Sequence, residues 1–325
     1  VLLAQAGFFK LFFCFFKRLR LSMAKELLGP HPQGCFIKLF IGDKEEMYEL
    51  HSISYVLHPT GVAVCTYNTP KNMNPISLNQ RWETMALLEH MTRDEKVRVV
   101  IWTGSGRAFN AGADLSGNPT VTIPKHAMED MKARRAAPDL RDMVMAVETK
   151  AFWDFPKPSI SAVNGITVGG AVNIAIAGCH DMVICSSEAR FMYPFPKLGF
   201  TPELGSSFML PYLVGMVKAK ELFFLSDWLS AEQAKELGLV NKLVAPEELM
   251  PEAMKLAERL CLLHPSALKM SKRIVNSHIR SQLDQILAAE QAAIMECLKE
   301  TGGPPKVQSW MKSRAEEMQQ LKAKL

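Results

Sequence analysis

The sequence predicts an α/β protein whose C-terminal part is helical. Up to Val244, short apolar runs typical of buried strands alternate with helical segments and glycine-containing turns. After Pro246 no strand pattern is evident, and amphipathic helices are expected over residues 247–263, 266–299 and 306–325. These observations divide the chain into an N-terminal extension (1–50), an α/β core (51–245) and a helical C-terminal domain (246–325).

The composition is typical of a globular protein, with 48% hydrophobic and 22% charged residues. The 38 basic and 33 acidic residues give a net charge of +5, which is too mild and too scattered to indicate a nucleic-acid partner but suits an anionic small molecule. The seven cysteines are widely spaced without a C-x-x-C pair, and the eight histidines show no ligand spacing. We therefore expect reduced thiols in an intracellular protein and no metal site.

The first 22 residues differ from the rest of the chain. Their run Phe8–Phe16 is apolar and aromatic, but Lys10 interrupts it and basic residues follow it, so it is too short to span a membrane. An interfacial anchor, an organelle presequence and a translated upstream region all fit this pattern. We expect the segment to have no role in the fold, and stable membrane insertion is not expected. Residues 23–50 are expected to form a polar lead-in.

The core is expected to begin with a β-hairpin over Ser54–Val56 and Gly61–Tyr67, followed by a helix from about Ser77 to Met91. A buried strand, Val99–Trp102, then leads into a loop of small residues, Asn110–Asp114. Two helical stretches are expected next, around residues 127–135 and 140–152.

Residues 157–207 carry most of the chemistry that the sequence suggests. The apolar strand Ile160–Val163 is followed by two glycines, Gly169 and Gly170, at the expected start of a small-residue helix. Free amides at the positive end of a helix hold negatively charged oxygens, and the loop 110–114 offers a second set of amides. Two such loops supply two donors to one oxygen, although a glycine pair also permits tight packing of a helix on a sheet.

The rest of the core is expected to contain two more strands and two helices. The loop that follows the strand ending at Cys185 carries one acid, Glu203. In chain order these elements are the strand Met182–Cys185, the helix Val217–Leu225, a helix opened by the capping box Ser230–Gln233 and ended by Gly238, and the strand Leu239–Val244.

Three motifs occur in order along the chain: RAFNAGADL (107–115), KPSISAVNGITVGGAVNIAIAGCHDMVICSSEARF (157–191) and KLGFTPELGSS (197–207). Together they closely resemble the crotonase superfamily of enoyl-CoA hydratases and isomerases, and the resemblance extends from about Ser54 to the C-terminus. It implies a crotonase-type spiral core of ββα units and an acyl-CoA thioester as substrate. It also implies no separate cofactor and assembly into homotrimers or hexamers.

The resemblance assigns roles to individual residues. Ala113 in NAGADL and Gly170 in VGGAVN match the positions whose amides stabilise the enolate oxygen of a thioester in this superfamily. Lys71 matches a turn that lies against the CoA moiety, where a phosphate contact and a solvated lysine are both possible roles. Further substrate contacts are expected from residues beside the two donors: Ala111, Gly112, Asp114, Leu115 and Gly169.

The acid and base groups distinguish the reactions of the superfamily. The positions that hold two glutamates in its hydratases are Asn173 and Phe195 here, so hydration by a carboxylate pair is not expected. One carboxylate remains, Glu203, and YPFPKLGFTPELGSS (193–207) resembles the Δ3,Δ2-enoyl-CoA isomerases, which have a single catalytic glutamate in this loop. Glu203 is therefore predicted to remove a proton from C2 of a 3-enoyl-CoA and return it at C4. Its apolar neighbours are expected to raise its pKa.

Other interpretations remain open. A dienoyl-CoA isomerase or an acyl-CoA hydrolase also places an acid near Glu203, but each typically needs a second carboxylate. A CoA-ester-binding protein without catalysis would tolerate the loss of both hydratase glutamates. Without the neighbouring motifs, a solvated loop acid is the usual role of a glutamate such as Glu203.

The last three residues, Ala323-Lys324-Leu325, resemble the small-basic-leucine signal that a peroxisomal import receptor reads at the extreme C-terminus. The superfamily is common in fatty-acid β-oxidation. The sequence therefore predicts a peroxisome-type location.

Overall fold

The computed structural model describes residues 35–41, 44–114, 129, 144–176 and 178–322. The strands in chain order are β1 (Cys35–Ile41), β2 (Lys44–Leu50), β3 (Ile53–Leu57), β4 (Val62–Tyr67), β5 (Val99–Gly104), β6 (Ala108–Asn110), β7 (Ser159–Val163), β8 (Ile166–Val168), β9 (Met182–Ser186), β10 (Arg190–Met192), β11 (Leu229–Ser230) and β12 (Lys242–Val244). The helices are α1 (Leu78–Arg93), α2 (Val144–Asp154), α3 (Gly170–Ile176), α4 (Phe195–Leu198), α5 (Ser206–Val214), α6 (Met216–Leu225), α7 (Ala231–Glu236), α8 (Leu249–Cys261), α9 (Pro265–Thr301) and α10 (Pro304–Lys322). Two short 3-10 helices cover Pro70–Asn72 and Pro246–Glu248.

Two sheets form the core. The larger has six strands in the order β12-β9-β7-β5-β4-β3, all parallel except the hairpin β3–β4. The smaller has the order β11-β10-β8-β6, and its strands are parallel except for the pair β10–β11.

The chain moves from the larger to the smaller sheet three times: from β5 to β6, from β7 to β8 and from β9 to β10. The next described element after each of these pairs is a helix, namely α2, α3 and α4 in turn. This arrangement is the spiral of ββα units that the resemblance implied, and the predicted α/β fold class with a helical C-terminal region is confirmed.

Side chains of the larger sheet alternate between its two faces. On β4, Cys65 and Tyr67 join the main core cluster, whereas Val62 and Val64 join a second cluster with residues of α8. Helix α8 therefore covers the second face of the sheet, although it belongs to the region expected to form a separate helical domain. The division of the chain into three domains remains a prediction.

The hairpin β1–β2 is the largest departure from the sequence analysis, since it lies in the segment expected to be a polar lead-in. The charged residues 44–46 obscure its alternating pattern. Tyr48 is buried, and its ring centroid lies 4.5 Å from that of Trp82 on α1. The Glu83 carboxylate accepts hydrogen bonds from the amides of residues 51–53 at 2.7–2.9 Å, which joins the end of the hairpin to α1. Residues 23–50 were described from the sequence only as a polar lead-in, and these two strands were not predicted.

Most other elements lie close to their predicted positions. Helix α1 has Ser77 as its N-cap, and the capping box of Ser230 and Gln233 opens α7. The closing strand is shorter than predicted, because Asn241 bonds Val183 through both its side chain and its backbone just before β12 begins. The expected helical stretch 127–135 lies outside the described residues apart from residue 129.

No helix within the described residues is long and apolar enough to cross a membrane. The apolar run Phe8–Phe16 lies outside those residues.

Candidate active site

The first predicted donor, Ala113, lies in the loop after β6. The Gly112 amide donates to Asn110 Oδ1 at 2.9 Å, and Ala113 forms an isolated parallel bridge with Ile76. The bridge uses the groups on either side of Ala113: Ile76 donates to the Gly112 carbonyl at 2.7 Å and accepts from the Asp114 amide at 3.2 Å. In a parallel bridge the N–H of the middle residue points away from this partner. Ala113 is an exposed residue, and the bridge to Ile76 does not use its N–H.

The second predicted donor, Gly170, is the first residue of α3. The preceding Gly169 has a positive φ of 64°, and its amide donates to the Met192 carbonyl of β10 at 2.8 Å. Gly170 is the first residue of the helix, so its amide has no partner in the helical ladder. The Gly170 N–H donates to the Glu203 carboxylate.

The two donor loops lie against each other. Gly112 has a φ of +85°, and a Cβ at this position would lie 2.6 Å from the Val168 carbonyl oxygen and 3.9 Å from the Gly169 Cα. The close approach requires glycine at residue 112. The structure thus brings the segments of Ala113 and Gly170 together at the ends of β6 and β8.

Glu203 lies in a tight turn before α5. Its amide donates to Ser206 Oγ at 3.1 Å, and its carbonyl accepts from the Ser206 amide at 3.0 Å. Both residues in the middle of the turn are left-handed, with φ of +57° at Leu204 and +81° at Gly205. A Cβ at Gly170 would lie 2.5 Å from Glu203 Oε1, so the carboxylate lies directly over that glycine.

Charged groups around Glu203 act on its proton affinity. Burial raises the pKa of Glu203 above its ordinary value, the Arg81 cation and the Gly170 amide lower it, and the Glu148 carboxylate raises it. Arg81 on α1 and Glu148 on α2 form a buried ion pair. A second carboxylate therefore lies within electrostatic range of Glu203, but it is bound to a cation.

Asn173 and Phe195, which the resemblance assigns to the positions of the hydratase glutamates, both have structural contacts. Asn173 is buried on α3, and its Nδ2 donates to the Leu204 carbonyl in the Glu203 turn. Phe195 is buried at the start of α4, with its ring centroid 6.1 Å from those of Tyr193 and Phe223. Neither side chain exchanges protons in the manner of a carboxylate.

The remaining predicted contacts lie around the donor loops. Lys71 is exposed on the 3-10 helix Pro70–Asn72, and the Ala111 amide donates to the Met73 carbonyl at 3.0 Å, which joins this turn to the first donor loop. Asp114 is partly buried beside Ala113. Leu115 lies outside the described residues. The roles assigned to all these residues remain predictions.

The sequence analysis did not identify Arg81, Glu148 or Glu290. For the two glutamates, helical spacing could have shown that each lies on the apolar face of its helix. Glu148 lies four residues after Val144 and four before Phe152, both buried, and Glu290 lies between buried Leu287 and Ile294 of α9. A carboxylate on the apolar face of a helix must find a partner when the helix packs. The same signal was available for Arg81, which lies three residues after Leu78, four before Met85 and seven before the buried Leu88.

A family model described as enoyl-CoA hydratase/isomerase matches residues 58–303, more than half of the chain. The chain belongs to this family. The match covers the loops of Ala113, Gly170 and Glu203, so the structural features described above belong to the part of the chain that the family shares. The protein is thus a member of the enoyl-CoA hydratase/isomerase family of enzymes.

Individual relatives carry the names of different reactions. A short-chain-enoyl-CoA hydratase of Clostridium acetobutylicum is 36% identical over 237 residues, covering 73% of this chain and 85% of the relative. An enoyl-CoA delta isomerase 3 of Mus musculus, named peroxisomal, is 30% identical over 243 residues, covering 73% and 71%. The solved structure of an enoyl-CoA hydratase/isomerase from Pseudoalteromonas atlantica has a TM-score of 0.66 at 27% identity, covering 76% of this chain and 92% of that one.

Proposed function

We propose that this protein is a Δ3,Δ2-enoyl-CoA isomerase, which converts a 3-enoyl-CoA into the 2-trans-enoyl-CoA. The observation that carries the proposal is the position of Glu203. Its carboxylate lies over the Gly170 amide, one of the two proposed oxyanion donors, while Asn173 and Phe195 stand where a hydratase needs its acids. A double-bond shift needs one proton acceptor that also returns the proton, and one carboxylate is sufficient.

In the proposed mechanism the thioester oxygen replaces the Glu203 carboxylate at the Gly170 amide and also accepts from the Ala113 amide. Glu203, displaced by this exchange, takes the proton from C2, and the C–H electron pair forms a dienolate whose charge the two amides stabilise. The protonated Glu203 then donates to C4, the double bond forms between C2 and C3, and the carboxylate is restored. No atom is gained or lost and no cofactor is required.

The alternative of simple hydration must be considered because hydratases are frequent among the relatives, including those of Clostridium acetobutylicum and Syntrophomonas wolfei. Addition of water needs a base for the water and an acid for C2, which the family's hydratases take from two glutamates. Here Phe195 packs among aromatic rings and the Asn173 amide group bonds the Leu204 carbonyl. These contacts favour isomerisation over hydration.

A dienoyl-CoA isomerase is the second candidate, because Glu148 supplies a second carboxylate whose charge acts on Glu203. Its ion pair with Arg81 favours a structural role for that carboxylate. Hydrolysis of an acyl-CoA, and binding of a CoA ester without turnover, are further outcomes that the experiment below separates.

The test is an absorbance assay of the purified full chain with four esters: a 3-enoyl-CoA, a 2-enoyl-CoA, a 2,4-dienoyl-CoA and a 3-hydroxyacyl-CoA. The proposal predicts formation of conjugated 2-enoyl-CoA from the first ester, with hydration of the second at least about 100-fold slower, the size of one general acid–base contribution. Faster turnover of any of the other three esters would contradict it. Binding of the 3-enoyl-CoA without turnover would support the non-catalytic alternative.

The setting of the activity is also a proposal. We propose a role in fatty-acid β-oxidation within a peroxisome or a similar organelle, a homotrimer or hexamer as the assembly, and an import receptor as a partner through Ala323-Lys324-Leu325. The name of the mouse relative supports this location. The three C-terminal residues themselves lie outside the described part of the chain.

A further inference from the structure

Glu290 lies on the long helix α9, far along the chain from the proposed catalytic residues, yet its carboxylate contacts the turn that carries Glu203. Oε2 accepts from the Gly205 amide at 2.7 Å, and Oε1 accepts from the Ser207 amide at 2.9 Å. Only 4% of Glu290 is exposed. Both amides lie at the start of α5, where backbone donors lack helical partners and the helix end is positive. A buried carboxylate thus caps this helix from another element.

The turn needs support of this kind. Leu204 is left-handed, and in this conformation the Cβ of an L-residue comes too close to the following carbonyl oxygen. Such a conformation persists only where surrounding contacts hold it. Here the Asn173 side chain holds the Leu204 carbonyl, Ser206 Oγ holds the Glu203 amide, and Glu290 holds the two amides that follow. Of these three contacts, the one from Glu290 comes from the C-terminal helices.

We propose that Glu290 is a positioning residue, which holds the backbone turn of Glu203 so that the Glu203 carboxylate stays beside the Gly170 amide, next to the proposed oxyanion donors, when the thioester oxygen takes its place there. Through this contact α9 becomes part of the active-site framework. The inference rests on the proposed role of Glu203 and extends it to a residue that does not touch the substrate.

The electrostatics of Glu290 agree with this geometry. Burial raises the pKa of Glu290 to about 7, and the charge of Glu203 acts in the same direction. The Ser207 hydroxyl and the amides of Gly205 and Ser207 favour the ionised form. Two carboxylates therefore lie near one turn, each held by a backbone amide at the start of a helix, Glu203 at α3 and Glu290 at α5. Removing the charge of Glu290 tests the contact without removing the side chain.

The test compares Glu290→Gln with Glu296→Gln, a matched change at an exposed residue of the same helix. Glutamine keeps the size and one acceptor oxygen, but its amide group faces an N–H where the second oxygen stood. For the 3-enoyl-CoA reaction we expect kcat per folded molecule to fall about 10-fold in Glu290→Gln with KM changed by less than about twofold, because the loss is one of orientation. Glu296→Gln is expected to match the unsubstituted protein.

Hydrogen exchange of the Gly205 and Ser207 amides provides a second readout that does not depend on the reaction. We expect both amides to exchange faster in Glu290→Gln, while the amides of the larger sheet remain unchanged. An unchanged kcat, or a loss of activity that only follows a loss of folded protein, would overturn the inference. If the unsubstituted protein does not isomerise the 3-enoyl-CoA, the proposed function fails, and unchanged exchange at Gly205 and Ser207 would separately overturn the inference about Glu290.

Discussion

Glu203 acts as a base only when it is ionised, so its pKa sets the acid limb of the reaction. Burial raises that pKa above the ordinary 4.5. We therefore expect kcat/KM to rise with pH through a titration that lies above 4.5, measured with the 3-enoyl-CoA in a series of buffers. An acid limb at or below 4.5 would contradict the assignment of Glu203 to this site.

The same shift has a consequence for stability. A carboxyl group whose pKa is higher in the folded state than in the unfolded state binds its proton more tightly when folded. Its favourable contribution is present below the unfolded pKa and is lost as pH rises through the folded pKa. Glu203→Gln should therefore unfold at a higher urea concentration than the unsubstituted protein at neutral pH, whereas at acidic pH the two should converge.

The ion pair of Arg81 and Glu148 gives another prediction at this scale. Arg81→Met leaves the Glu148 carboxylate buried without its cation, which is expected to cost about 3–5 kcal/mol in the free energy of unfolding. Adding Glu148→Leu should recover much of this loss, because the unpaired charge is then removed. The control is Arg93→Met on the same helix, whose ion pair with Glu89 is exposed and should cost less than about 1 kcal/mol. Equal losses for Arg81→Met and Arg93→Met in urea unfolding would contradict this account.

At the scale of elements, the site depends on the close approach of the first donor loop to the end of β8. An alanine at Gly112 would place its Cβ 2.6 Å from the Val168 carbonyl oxygen at a φ of +85°. We expect Gly112→Ala to displace Ala113 and to lower kcat at least about 10-fold, since small displacements of catalytic groups are costly.

Gly238→Ala is the matched control for that change. Gly238 also has a positive φ, +76°, but a Cβ there would meet no atom within 4 Å. It should cost about 1–2 kcal/mol of stability through backbone strain and leave kcat per folded molecule unchanged. If both substitutions lowered kcat to a similar extent, backbone strain alone would explain the loss, and the contact with β8 would not be needed to account for it.

The elements also show what the sequence can predict. Strands such as β5 and β7 were predicted because a strand buried in a sheet needs a continuous apolar run, and the sequence shows such a run for each of them. The three-residue strands β6, β8 and β10 were missed because pairing with each other, not a local pattern, defines them. The same distinction applies to the site: Ala113, Gly170 and Glu203 were proposed from motifs, whereas the contacts of Arg81, Glu148 and Glu290 appear only once α1, α2 and α9 pack.

At the scale of the whole molecule, the proposed location depends on the end of the chain. Deletion of Ala323-Lys324-Leu325 removes the residues that an import receptor would read and leaves every residue of the proposed site in place. In cells that contain peroxisomes, we expect an N-terminally labelled full chain to colocalise with a peroxisomal marker and the shortened chain to remain outside. Identical distributions of the two forms would contradict the proposed signal.

The whole fold brings two glycine-containing loops and the Glu203 carboxylate together, and the central claim is that Glu203, and not the neighbouring Glu148 or Glu290, moves the proton. The most direct test measures formation of 2-enoyl-CoA from a 3-enoyl-CoA by the unsubstituted protein and by Glu203→Gln, with binding of the ester measured in parallel. The account predicts rapid conversion by the first, loss of at least about 100-fold in the second, and nearly equal binding by both. An unchanged turnover rate in folded Glu203→Gln would contradict it.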